Sequence, residues 1–515
     1  MAASWLAGAI FYEIYPQSFY DTNGDGIGDI NGIIEKLDYI RSLGCNALWL
    51  NPCFDSPFKD AGYDVRDYKL VAPRYGTNND LYRLFGEAHK RGVRVLLDLV
   101  PGHTSEEHPW FRESQRAERG EYSDRYIWTD FCFERATGLN FVGGESERSG
   151  VYVLNFFKCQ PALNYGFLHP SEPWQIPTDH PAAVATREAM KNVMRFWLDH
   201  GCDGFRVDMA ESLVKFDDPE RSGTGAVWRD VRAMLDAEYP EAALIAEWSN
   251  APLAISCGFD AAFCLNDPWT GYPSLMRDYK LVHPDGTDNS YFRREGDGDI
   301  RRFLKPYLEQ YEATKHKGYI SLITCNHDTV RPSWNLDTRE LKLAYAFLFT
   351  MPGVPFLYYG DEIGMRYQEL PSKEGGYFRT GSRTPMQWDG GRNLGFSGGC
   401  PDSLYLPVDP APDAPTVAAQ EADPEALLHT VRALLALRTE RPELRENANL
   451  EIVHAEKGEA FVYRRGGLLL ALNPSGAPAS APVHAEGMKT IYAIGGGRAE
   501  TGKLTLEAQS FVVLA

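Results

Sequence analysis

The 515-residue chain has no surplus of basic charge: 52 Lys and Arg stand against 71 Asp and Glu, a formal net charge of −19. A nucleic-acid binder leaves a basic footprint, and a protein held at a membrane surface carries a polybasic or basic amphipathic segment. Neither occurs along the chain, so a neutral or cationic substrate is expected, with no nucleic acid and no membrane among the partners. Long apolar runs are missing too. No stretch approaches the roughly 20 apolar residues that span a bilayer, and the start, Met1-Ala2-Ala3-Ser4-Trp5-Leu6, lacks the basic leader of a secretion signal. Paired cysteine spacing is also absent. The nine cysteines (Cys45, Cys53, Cys132, Cys159, Cys202, Cys257, Cys264, Cys325 and Cys400) are odd in number and include no CxxC, which predicts a reduced, cytoplasmic chain. No repeat or low-complexity tract occurs. With 43% hydrophobic and 24% charged residues, disordered and fibrous classes are excluded. The length predicts two to four domains of about 100–200 residues each.

What is present is alternation. Short β-rich apolar runs, Ala9–Ile14, Ala47–Leu50 and Val93–Val100, are separated by helix-period stretches, Ile30–Leu43 and Asn79–Arg91. The pattern breaks over 104–164, where aromatic, polar and glycine-containing sequence carries no long helix period. It resumes with helix Ala182–His200, strand Gly204–Val207, helix Val227–Glu238, strand Leu244–Ala246 and a short strand near Ala261–Leu265. Helix Ile300–Ala313, strand Tyr319–Thr324, helix Thr338–Thr350 and strand Pro355–Tyr359 follow. Eight strand-helix units predict an α/β fold, a (β/α)8 barrel with a subdomain inserted after strand 3. A doubly wound open sheet is the alternative. After a helix at Pro424–Glu440, period-two segments (Leu450–His454, Ala460–Arg464, Leu468–Asn473, Thr490–Ala493, Lys503–Leu506, Ser510–Leu514) predict a C-terminal antiparallel β domain. The expected division is 1–103 with 165–430 for the barrel, 104–164 for the insertion and 431–515 for the β domain.

Barrel enzymes build their sites on loops at the C-terminal ends of the strands. The polar residues just past the strands are His103 after the third, Asp208 after the fourth, Glu247 after the fifth and Asn326-His327-Asp328 after the seventh. A single carboxylate in such a place reads equally well as a helix cap. Three on one rim, with Arg206 two residues before Asp208 and His327 beside Asp328, point to chemistry instead.

GFRVD (204–208), AEW (246–248), NHD (326–328) and DLVPGH (98–103) resemble the four signature regions of the α-amylase superfamily, glycoside hydrolase family 13. QPALN (160–164) is similar to a region of the oligo-1,6-glucosidase branch. FYEIYPQSFYD (11–21), AGYDVRDY (61–68) and SRTPMQWD (382–389) extend the likeness, so matches run in order from residue 11 to 389.

Cleavage of a glycosidic bond with retention needs a carboxylate nucleophile and a carboxylic acid for the leaving oxygen, about 5–5.5 Å apart. Asp208 is the expected nucleophile, with Arg206 on the same strand face to keep it ionised and oriented. Glu247 on the adjacent strand is the expected general acid/base. The resemblance implies that Asp328 grips hydroxyls next to the anomeric centre, that His103 and His327 hydrogen-bond the first sugar, and that Tyr63 stacks on it with Asp64 as structural neighbour. From the residues alone, both histidines read equally as satisfied polar groups at strand ends. The family usually has Asn before His103, where this chain has Gly102, a departure that concerns the local loop geometry. Asp60 and Arg383 match a pair that closes the pocket around a terminal glucose and implies exo action; a surface salt bridge is the alternative.

Asp21, Asn23 and Asp25 place side-chain oxygens at positions 1, 3 and 5 of a loop, the Ile27 carbonyl stands at 7 and Asp29 at 9, with Gly26 at the sharp turn. This copies the first part of an EF-hand loop, but Gly32 replaces the bidentate Glu at 12. A structural calcium ion is expected, as in related glucosidases; a glycine-rich turn without an ion is the alternative.

Three functional readings follow. The first is a retaining exo-acting α-glucosidase for short α-1,4 or α-1,6 glucosides. The second is a transglycosylase or isomerase of the same family, of trehalose synthase or sucrose isomerase type. The third is a non-catalytic amylase-like scaffold, which predicts lost carboxylates and a membrane helix. Met209 after the expected nucleophile matches neither the Val that goes with α-1,6 preference nor the small residues that go with α-1,4. Glu211-Ser212 stand where starch-acting amylases carry Lys-His, and Trp248 and Ser249 are expected to line the acceptor side.

Overall fold

The computed structural model describes residues 3–264, 267–278, 287–375 and 378–515. Eight short parallel strands build one sheet: β1 (Phe11–Ile14), β2 (Ala47–Leu50), β3 (Arg94–Leu99), β4 (Gly204–Val207), β5 (Ala243–Ala246), β6 (Ala261–Phe263), β7 (Tyr319–Ser321) and β8 (Phe356–Tyr358). Their order is β7-β6-β5-β4-β3-β2-β1-β8. The two ends join at Phe356, whose N–H donates to the Leu322 carbonyl and whose carbonyl accepts from Thr324 N–H, each at 3.0 Å. The sheet is thus a closed barrel without edges, and the open doubly wound alternative is excluded.

Strands buried on both faces read as continuous apolar runs, which is why they are visible in the sequence. Their ends are less so. β8 starts after Pro355, which has no N–H for a ladder, and β7 stops at Ser321 because Leu322 and Thr324 turn to Phe356 to close the seam. Leu265, at the end of the expected sixth strand, lies outside the described residues. The helix expected over Ile30–Leu43 is two helices, Ile30–Glu35 and Leu37–Leu43, broken at Lys36, whose ammonium lies over the rings of Tyr20 and Trp388. The helix expected from Val227 starts earlier, at Ser222. Capping boxes Thr77/Asp80 and Asp337/Glu340 start helices Asn78–Lys90 and Thr338–Thr350 by satisfying free N–H groups of the first turn.

The parallel register sets Glu13 opposite Trp49 and Asp98 opposite Arg206. These side chains make a polar layer inside an otherwise apolar barrel. After β3 the chain leaves into a hairpin, Phe141–Gly143 with Val151–Val153. Around it Ile127, Val151, Val153, Ala162, Phe167 and Trp174 form a small core of their own, reaching ten residues past position 164. Bridges from His103 to Ala162 and from Tyr126 to Leu163 tie the start of this excursion to its end.

Past helix Leu427–Glu440 an antiparallel five-stranded sheet packs one face on the barrel unit, with Phe461 and Tyr463 against Phe347. A three-stranded sheet includes Ala479–Ala481 and Gly497–Glu500. Neither was expected: one is only three residues long, and the other is exposed throughout and carries no alternation. Buried Arg438 and Arg465 donate to carbonyls at the end of helix Thr338–Thr350 and the turn after it, Phe349, Thr350, Met351 and Gly353, fastening the C-terminal unit there.

Candidate active site

At the C-terminal end of the barrel β4 turns sharply. Met209 adopts a left-handed conformation, φ 42°, at a cost of about 1–3 kcal/mol unless the surroundings impose it. Its N–H donates to Glu247 Oε2 at 2.9 Å, so the turn after Asp208 also orients the carboxylate after β5. Arg206, 1% exposed, points into the barrel and joins three carboxylates. Nη1 meets Asp98 Oδ1 at 2.8 Å and Asp208 Oδ1 at 3.1 Å; Nη2 meets Glu247 Oε1 at 2.9 Å. One rigid guanidinium thus holds Asp208 and Glu247 side by side. Burial raises the Asp208 carboxyl well above the usual carboxylate range; the charge of Glu247 adds to this and Arg206 opposes it.

Asp328 stands opposite. Its Oδ1 accepts from Arg383 Nη2 at 2.7 Å and from Arg379 Nη1 at 3.2 Å, and its Oδ2 lies 3.2 Å from His327 Nε2. Burial works to raise its pKa, but the His327 charge and both guanidiniums outweigh burial and hold the carboxyl well below the usual range. His327 is fully buried: Nδ1 meets Glu13 Oε1 at 2.9 Å, and Nε2 also lies 2.6 Å from the Tyr63 hydroxyl. Burial lowers its pKa, yet Asp328 and Glu13 raise it to about 9. An imidazolium between two carboxylates therefore sits behind the site.

These groups surround a cavity of about 180 Å³ lined by Asp60, Tyr63, His103, Asp208, Glu247 and Asp328, together with Phe156, Gln160, Met209 and Arg379. Tyr63 forms the wall, its ring stacked on His327 at 5.3 Å. Asp64 lies beneath it and accepts from the N–H groups of Lys59 and Asp60. His103 is neutral, its pKa lowered to about 3 by burial.

Two expectations are corrected here. His327 does not face the cavity, because its ring nitrogens are already committed to Glu13, Tyr63 and Asp328. Arg383 does not pair with Asp60: it is 1% exposed, absent from the cavity wall, and bound to Asp328 and to the His327 carbonyl. The partner of Asp60 is Arg379, which bridges it to Asp328, while Gln160 donates to the other Asp60 oxygen at 2.7 Å. Arg379 lies in a loop with no periodicity to mark it. Asp98 and Glu13, also passed over, sat inside strings whose alternation places them on the barrel's inner face.

The Asp21 loop is remote from the cavity lining. Asp21 accepts from the N–H groups of Asn23, Gly24 and Gly26 and from the Ser397 hydroxyl, Asn23 from Asp25 N–H, and Asp25 from Ile27 N–H. Asp29 serves elsewhere, capping helix Ile30–Glu35 and holding Thr22. Among the described residues no group of three or more His, Cys, Asp or Glu is arranged to hold a metal ion.

A closed parallel barrel with two carboxylates on a shared arginine and a third across the cavity is the architecture of a barrel enzyme with a carboxylate site at the C-terminal ends of its strands. A model of the alpha amylase catalytic domain matches residues 13–447, and the chain belongs to that family, glycoside hydrolase family 13. It is 34% identical over 504 residues to the trehalose synthase/amylase TreS of Mycobacterium tuberculosis, covering 87% of this chain and 77% of that one. It is 32% identical over 538 residues to an oligo-1,6-glucosidase of Heyndrickxia coagulans, covering 92% of each. The trehalulose synthase MutB from Pseudomonas mesoacidophila superposes with a TM-score of 0.81 at 25% identity, over the whole of both chains.

Proposed function

We propose that this glycoside hydrolase is a retaining, exo-acting α-glucosidase for short α-1,4 or α-1,6 glucosides. The observation that carries this reading is the Arg206 bridge between Asp208 and Glu247 on the wall of a small cavity that Asp60 and Arg379 join to Asp328. The cavity, about 180 Å³, falls below the about 300–1,000 Å³ of sites for larger ligands, which suits a single terminal sugar.

Glu247 gives its proton to the glycosidic oxygen while an Asp208 oxygen attacks the anomeric carbon; the bond to the aglycone breaks and a glucosyl ester forms. Arg206 on Asp208 Oδ1 favours the ionised nucleophile against the effect of burial. Glu247 then takes a proton from water, whose oxygen attacks the same carbon and frees Asp208. Asp328, fixed by two arginines and His327, binds ring hydroxyls most strongly as the carbon flattens toward the oxocarbenium-like transition state.

The names of the relatives favour a second reading. Trehalose synthase and trehalulose synthase are isomerases, and in such an enzyme the ester is captured by a retained sugar in place of water. A product time course on maltose, isomaltose, sucrose and trehalose separates the two. Free glucose rising from the first minutes with one linkage supports the hydrolase; a rearranged disaccharide at constant free glucose overturns it in favour of the isomerase. No turnover of any of the four overturns both.

Two lesser assignments belong to this reading. A calcium ion at the first loop would be held by Asn23, Asp25 and the Ile27 carbonyl, which keep unused lone pairs, and would have to displace hydrogen bonds from Asp21, whose two carboxylate oxygens already accept two each; Asp29 is committed to its helix and to Thr22. A cytoplasmic location is supported by cysteines that are all free; no helix among the described residues is long and apolar enough to cross a membrane.

A further inference from the structure

The inserted subdomain sends one amide to the back of the cavity wall. Asn155 follows the hairpin strand Val151–Val153 and lies outside the cavity lining. Its Nδ2 sits 3.2 Å from His103 Nδ1, 3.8 Å from Met209 Sδ and 3.5 Å from Ser212 Oγ. Its Oδ1 accepts at 2.9 Å from Lys215, a buried ammonium that also donates to the Ser212 carbonyl at 2.6 Å. The lysine therefore decides which way the amide points: oxygen to Lys215, N–H toward His103.

That orientation selects a tautomer. His103 Nε2 lies 3.1 Å from the Tyr63 carbonyl, which can only accept, so Nε2 carries the hydrogen and Nδ1 accepts from Asn155. With both ring nitrogens engaged, the imidazole has one orientation. Met209, held by the same amide, keeps its strained turn and its N–H on Glu247.

Gly102 completes the arrangement. Its φ is not positive, so its backbone does not call for glycine. A Cβ there would stand 2.7 Å from Asn155 Nδ2 and 3.4 Å from Ser212 Oγ, closer to the amide than real side chains approach. A side chain at 102 and the amide of Asn155 compete for one space.

We propose that Asn155, aimed by Lys215, is a positioning residue for His103 and Met209, and that Gly102 is glycine in order to admit it. The proposal rests on reading the cavity as the sugar site for its kinetic arm only.

The structural arm is 15N-histidine NMR of the substrate-free enzyme, with His103→Gln assigning the signal. The wild type is expected to show the Nε2–H tautomer, and Asn155→Asp, which keeps its bond to Lys215 but loses the donor, to show a tautomer mixture. An unchanged His103 signal in Asn155→Asp overturns the proposal whatever the enzyme's activity. The kinetic arm is a swap on an aryl α-glucoside. Asn155→Gly is expected to lower kcat/KM about tenfold, the scale of one lost hydrogen bond, and Gly102→Asn at least as much. The double variant Gly102→Asn/Asn155→Gly is expected to recover to within about threefold of wild type, as coupling within one space requires. Losses that simply multiply overturn the shared space. A wild type inactive on every α-glucoside overturns the functional reading and leaves the NMR arm standing.

Discussion

Arg379 and Arg383 lie four positions apart and both touch Asp328, yet only Arg379 lines the cavity. The two should therefore fail differently. Arg379→Ala or Asp60→Ala removes a charged group from the wall, and loss of a charge-assisted hydrogen bond is expected to raise KM for a terminal glucoside about 10–100-fold, with kcat less affected. Arg383→Ala leaves the wall intact and loosens Asp328, whose grip matters most in the transition state; kcat is expected to fall about 100-fold, with KM nearly unchanged. Steady-state kinetics on one aryl α-glucoside reads both, and identical kcat and KM changes in Arg379→Ala and Arg383→Ala would refute this division. The residue reading from sequence reached Asp208, Glu247 and Asp328 because each sits singly after an apolar strand. The resemblance implied Arg383 beside Asp60, whereas Arg379 bonds Asp60 and Arg383 bonds Asp328; both arginines lie in irregular chain, where spacing does not say which guanidinium turns inward.

At the scale of elements, His327 joins Asp328, which follows β7, to Glu13 in β1, spanning the barrel across β8. Its pKa, raised to about 9 by Asp328 and Glu13 against burial, makes this link pH-dependent. A histidine whose folded pKa exceeds its unfolded value contributes stability that is complete below about pH 6.5 and is lost as pH climbs through about 9. The melting temperature is thus expected to decline between these values, by at most the equivalent of about 3 kcal/mol at 1.36 kcal/mol per unit. His327→Gln should be less stable at pH 6 and should lack that decline; a parallel decline in the variant would assign the effect to another group. The strands were legible because burial on both faces leaves a plain apolar run. The Asp98–Arg206 contact was not, because it depends on the register between β3 and β4, and no local pattern states which residue of one strand lies opposite which of the next.

At the scale of the whole molecule, the Asp21 loop joins distant chain: Asp21 bonds Ser397, and a Cβ on Gly26 would meet the Ser403 carbonyl at 2.1 Å. An ion there would brace the start of the barrel against the segment that follows β8. A melt with excess calcium and one with chelator should differ, since binding at 100 times Kd adds about 2.7 kcal/mol; superimposable melts overturn the calcium assignment. The sequence by itself determined eight strand-helix units, the excursion after the third strand, the β domain at the end and the three carboxylates that follow apolar strands, while closure of the eight strands into a barrel rests on the bonds of Phe356. All but that closure are written in local periodicity and in the polar residue that ends an apolar run. Only the tertiary structure decided that Arg206 serves Asp98, Asp208 and Glu247 together, that His327 and Arg383 stand behind Asp328, that Arg379 faces Asp60, and that Asn155 fills the space beside Gly102. Apart from the neighbours Arg206–Asp208 and His327–Asp328, which spacing already brings together, these are contacts between segments far apart in the chain, chosen by barrel closure and close packing.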